Sequence, residues 1–185
     1  MDRLLPGLRA VANIHPLLVH FPIAFLLGAL LLEALAVWRR REDWHRAAVV
    51  MLYLGAAGAV AASTSGWFAA ETIEHTEASH EVLELHQAIM LWTTGLTVTL
   101  AMIAFLGERY LAGRTLQVFL LVGLLVVSLM MTVGADRGGQ LVFQFGAAVQ
   151  KSALVPPPPT GQPAPPAESG DKPAAESGHK HTHKH

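Results

Sequence analysis

The residues able to do chemistry in this chain are its histidines. Six of the ten, His15, His20, His45, His75, His80 and His86, precede the C-terminal segment, and there is no cysteine. That excludes disulfides, thiolate zinc sites, iron–sulfur ligation and covalent haem attachment. Coordination then falls to imidazole, carboxylate or methionine. Imidazole can serve haem iron axially, and it also suits zinc and copper. In IHPLLVHFPIAF (14–25), His15 and His20 open a long apolar run. In LHQAIML (85–91), His86 opens another, with Met90 four residues on and so on the same helical face.

The elements that must carry these side chains are membrane helices. The 185 residues are 52% hydrophobic and only 15% charged, more apolar and less charged than a soluble domain. About 20 apolar residues cross a bilayer core, and four stretches are long enough: 16–38, 47–70, 86–107 and 115–135. Leu26 to Leu32 and Phe119 to Val127 are apolar all round, without the polar face of a helix in a soluble bundle. The expected fold is an all-α integral membrane domain over 1–151, a four-transmembrane-helix bundle, followed by a disordered Pro-rich C-terminal tail over 152–185. Within the domain, 136–151 reads as an interfacial segment hinged at Gly138–Gly139. In the tail, eight of the eleven prolines fall between 156 and 173, and the chain ends in HKHTHKH. Such a segment cannot bury a core. No internal sequence repeat is evident.

Arginine placement orients the bundle. Arg39, Arg40, Arg41 and Arg46 lie between spans one and two, and Arg109 and Arg114 between three and four. The stretch Glu71 to Leu85 has five glutamates and no lysine or arginine. By the positive-inside rule both termini are extracytoplasmic. Arg3 and Arg9 before the first apolar run resemble a signal peptide, but the run is long for one and the following arginine cluster resists export. Near-neutral net charge without a basic stripe argues against a nucleic-acid partner.

Of the six histidines only His45 falls on the inner side. Pro16 suits a first helical turn. Pro22 removes the bond its N–H would make to the Leu18 carbonyl, which predicts a helix opened near His20, able to swing that ring inward. Without distortion the rings of His15 and His20 point about 140° apart. Glu33, deep in span one, is expected to bond a neighbouring helix or meet Arg39.

HPLLVHFPIAFLLGALLLE (15–33) closely resembles the opening of the bacterial membrane family known as domain of unknown function 2231. GWFAAE (66–71), LHQAIML (85–91) and GGQLVFQFGAAV (138–149) resemble its later signatures in the same order. The resemblance covers roughly residues 10 to 150. It implies a four-span membrane protein with matching positions at His15, His20, His86, Gly138, Gly139 and Gly146. Phe143 stands where the family tends to have tyrosine. Members joined to cytochrome c or Rieske modules imply electron transfer, with such a partner on the extracytoplasmic side.

The leading expectation is a b-type haem or quinone-side electron-transfer subunit in the bacterial inner membrane. Haem b would be held by His20 and His86, with Met90 as substitute ligand and His15 orienting a ring. The typical two-haem pattern, histidine pairs at two depths, is not present. A second expectation is divalent metal binding or transport, with zinc or copper on His15, His20 and His86, or on His179, His181, His183 and His185 of the tail. A third is a cofactor-free structural or assembly subunit in which the histidines pin helices. No nucleophile–base pattern or phosphate loop points to an independent enzyme. The arginine asymmetry yields a direct test. A reporter active only in the cytoplasm is expected to be active when fused after Arg41 and silent after Lys151. Activity after Lys151 would reverse the orientation.

Overall fold

The computed structural model describes residues 14–71, 77–110 and 113–147. The chain divides into one unit over Met1–Lys151 and another over Ser152–His185. The second unit, with the expected tail and its four histidines, lies outside the described residues, as does His75. Among the described residues five helices follow one another: α1 His15–Leu18, α2 His20–Arg39, α3 Glu42–Ala70, α4 Glu77–Tyr110 and α5 Gly113–Phe145. No strand occurs among the described residues. Four segments, His15–Arg39, Glu42–Ala70, Ser79–Gly107 and Gly113–Phe145, are long and apolar enough to cross a membrane.

The helices pack as two hairpins. α2 pairs chiefly with α3 and α4 with α5, while α3–α4 and α2–α5 contacts close the ring. The first hairpin turns through Arg40, held at φ 55°, into α3, whose first turn carries Glu42 and Asp43 where the helix dipole favours negative charge. Its mid-bundle core is thin and mostly aliphatic: Leu26, Ala29, Leu52, Leu100, Ala104, Leu120, Leu124 and Val127. The outward faces carry Leu31, Phe105 and Leu129 at 60% exposure or more, an arrangement that needs lipid around it. Inside the bundle, Thr93 and Thr97 turn their hydroxyls back to the carbonyls four residues earlier, and Ser63 reaches Thr94 across α3–α4 at 2.7 Å.

Three sequence-based expectations change here. Pro22 does break the helix, since α1 ends at Leu18, whose carbonyl it deprives of a partner. Val19 nevertheless keeps helical dihedrals (φ −63°, ψ −23°), so the phase between His15 and His20 survives and His20 is not swung inward. Pro22 itself is buried, its ring against Gly58, where a Cβ would lie 3.1 Å away. The stretch taken as a loop from Glu71 to Leu85 is helical from Glu77 on, as its alanine, glutamates and leucines favour. The segment expected to hinge at Gly138–Gly139 instead continues α5 to Phe145, supported by Arg137–Gln140 and Gln140–Gln144 hydrogen bonds at 3.1 and 3.0 Å. The helix stops at Gly146, at φ 65°, where the Gly146 and Ala147 amides cap the carbonyls of Val142 and Leu141.

The hairpins depend on close approach at glycine. A Cβ at Gly55 would lie 2.6 Å from Leu26 Cδ2, whereas one at Gly95 meets nothing within 4 Å. Overpacking costs about 1–3 kcal/mol, against a helix-propensity gain of about 1 kcal/mol for alanine over glycine. Gly55→Ala is therefore expected to lower the thermal midpoint in detergent, and Gly95→Ala to leave it level or raised. Equal midpoints for the two variants would contradict this packing.

Candidate functional site

His15 sits at the start of α1 and lies over the C-terminal part of α3. Its Nδ1–H donates to the Ala62 carbonyl at 3.0 Å and to Ser65 Oγ at 3.1 Å. The Ser65 hydroxyl gives its own proton to the same carbonyl at 2.9 Å, so both partners of the imidazole are acceptors. The ring lies on Gly66, where a Cβ would come 2.9 Å from Cε1. Any side chain at Gly66 would displace it.

His86 repeats this arrangement in the second hairpin. From α4 its Nδ1–H donates to the Gly134 carbonyl of α5 at 2.8 Å. The ring rests on Gly138, where a Cβ would lie 3.1 Å from Cε1. In both hairpins the seat glycine follows the accepting carbonyl by four residues, and donor and acceptor are 47 and 48 residues apart. A helix carbonyl already accepts the amide four residues on, and its second lone pair can take a further donor. Glycine at that fourth residue clears the way for a ring. Because a carbonyl can only accept, Nδ1 carries the proton in both histidines and Nε2 is the basic nitrogen of each neutral ring. The two rings are within Coulombic reach of each other. No internal repeat was legible in the sequence, yet the hairpins share this one.

The other expected site residues lie elsewhere. His20 is exposed, and the phase kept through Val19 turns it away from the side on which His15 meets α3. Of the expected pair, His86 makes the carbonyl bond described above, while His20 is exposed. Met90 is half-buried with its sulfur against Gly134, one turn along α4 from His86. His80 is on the exposed side of α4, its Nε2 3.1 Å from Glu84 Oε1. Among the described residues no group of three or more His, Asp or Glu side chains is placed to hold a metal. Phe143 is 89% exposed and faces outward.

At the opposite end Glu33 bonds a neighbouring helix, as expected, through a partner that sequence reasoning did not name, His45. Glu33 and His45 are buried together, with His45 Nδ1 2.9 and 2.8 Å from the two carboxylate oxygens. Glu33 meets His45 rather than Arg39. The signal was available: Glu33 and His45 lie on either side of the Arg40–Arg41 turn, each within about two helical turns of it. Arg114 Nη1 donates to the Val37 carbonyl at 3.2 Å, and Gln117 Nε2 to Glu42 at 3.1 Å, tying α5 to this end.

The fold and this site define a four-helix membrane protein with a histidine on each hairpin. A family model described as "Predicted membrane protein (DUF2231)" matches residues 11–151, and the chain belongs to that family. No curated protein and no solved structure matches it. Within the family signatures, Gly66 of GWFAAE and Gly138 of GGQLVF are the seats of His15 and His86.

Proposed function

We propose that this protein binds haem b through His15 and His86 and acts as an electron-transfer subunit of the bacterial inner membrane. The observation that carries this reading is the Nδ1–H···O=C bond made by each ring. Ligating histidines commonly fix their other nitrogen in this way, which orients the ring and raises the basicity of Nε2. Two imidazoles match the axial demand of a haem. A structural zinc site takes four ligands, more than the described residues gather.

Bound haem would supply an iron centre that takes and gives single electrons. The chain's own contribution is to hold both rings by main-chain carbonyls, on separate hairpins. Met90, one turn from His86, would furnish a polarisable thioether beside the site. With both termini extracytoplasmic, as the arginines argue, the histidine end faces the outer side. A cytochrome c or Rieske-type partner there would exchange the electron.

The protein purified from haem- and metal-replete membranes is expected to show a b-type α-band on reduction. His15→Ala and His86→Ala should each abolish or shift it, while His20→Ala, His80→Ala and Met90→Ala should preserve it. Loss with His20→Ala but not His15→Ala would restore the pair expected from sequence. A colourless protein with stoichiometric zinc or copper would move the pair to metal binding. One with neither would leave the histidines as helix pins.

A further inference from the structure

A cleft of about 290 Å³ opens between the last turns of α3 and the first turns of α4. Trp67 and Glu71 line it from α3, and His80, Leu83, Glu84 and Gln87 from α4. The α4 residues recur at three- and four-residue intervals, which puts them on one helix face. Trp67 adjoins Gly66 and Gln87 adjoins His86, so the cleft belongs to the histidine end of the bundle. Trp67 is 64% exposed and offers a flat aromatic face.

The lining selects a ligand. Ligand pockets run from about 300 to 1,000 Å³, so this one suits a single ring. Two of its polar groups, the Glu71 and Glu84 carboxylates, can only accept when ionised, and the Gln87 amide can accept or donate. His80 Nε2 lies 3.1 Å from Glu84 Oε1, which couples an imidazole to one of these carboxylates. Trp67 and Leu83 supply apolar surface for ring faces. A small flat ring with two O–H donors satisfies all of these.

We propose that this cleft binds the head of a membrane hydroquinone. The oxidised quinone has carbonyl acceptors only and would set them against the carboxylates, so the cleft favours the reduced ring. As an electron donor the hydroquinone loses two electrons and two O–H protons and leaves as quinone. The protons pass to Glu84–His80 and Glu71 and from there to water. Haem held by His15 and His86 would supply the one-electron acceptor for these electrons, taken singly over two turnovers. Only that destination rests on the haem reading; the binding does not.

The test is anaerobic titration calorimetry of the full-length protein in lipid nanodiscs, with tetramethylhydroquinone as probe and empty nanodiscs as the blank. The expected result is saturable binding of one ring per chain, at least tenfold tighter than for tetramethylquinone. Trp67→Ala should weaken binding at least tenfold. Glu84→Gln should remove most of the preference for the reduced ring, and Leu83→Trp, which fills the cleft, should abolish binding. Non-saturable uptake equal to the blank would overturn the proposal, as would saturable binding unchanged in all three variants. The haem band recorded on the same samples separates the two readings. Saturable binding to colourless protein sustains the cleft and removes the haem, while a coloured protein without binding does the reverse.

Discussion

A helix in a bilayer has spent its main-chain donors and acceptors on itself, and lipid offers no substitute. What remains available is the second lone pair of each carbonyl. In both hairpins of this protein an imidazole N–H takes such a lone pair, and much else at that end follows from the contact. Glycine must stand four residues beyond the acceptor to admit the ring. His15 reaches its carbonyl from the start of α1, and His86 from the third turn of α4. The ring that results has its proton fixed on Nδ1, whatever use is made of Nε2. A neutral hydrogen bond adds about 0.5–1.5 kcal/mol net, so its larger effect is on geometry.

The two hairpins share this device at one end and diverge at the other. His15 on Gly66 and His86 on Gly138 are built alike. At the far end the first hairpin buries Glu33 with His45, whereas α4 and α5 pack Ala104 and Leu116 into the core. An ionisable pair buried in this way costs desolvation unless each member keeps its partner. Losing His45 would take this bond from the buried Glu33 carboxylate. The histidine end is therefore the repeated one, and among the described residues the carboxylate–imidazole pair occurs in the first hairpin.

Apolar run length carried most of the fold in the sequence, because a bilayer sets how many apolar residues a span needs. It was weaker at helix ends. Apolarity could not show that α4 starts at Glu77, since helices extend past the apolar zone on ordinary propensity. Gly138–Gly139 read as a hinge because a glycine's meaning depends on what packs on it, and His86 was not visible from there. The site was half legible. His15, His20 and His86 were all in view, and the 140° between His15 and His20 already forbade a shared site on a regular helix. The expected rescue by Pro22 failed because Val19 kept its helical dihedrals. No residue spacing reported the carbonyls of Ala62 and Gly134, since every helix offers them.

The central claim is that two rings are held through Nδ1 by main-chain carbonyls. Solid-state ¹⁵N NMR of histidine-labelled protein in lipid, at alkaline pH, reads the tautomer of each ring directly. The expected spectrum contains two neutral rings protonated at Nδ1 with a basic Nε2, one lost in His15→Ala and the other in His86→Ala. If His15 and His86 are instead protonated at Nε2, like histidines in water, the carbonyl bonds do not exist and the site built on them fails.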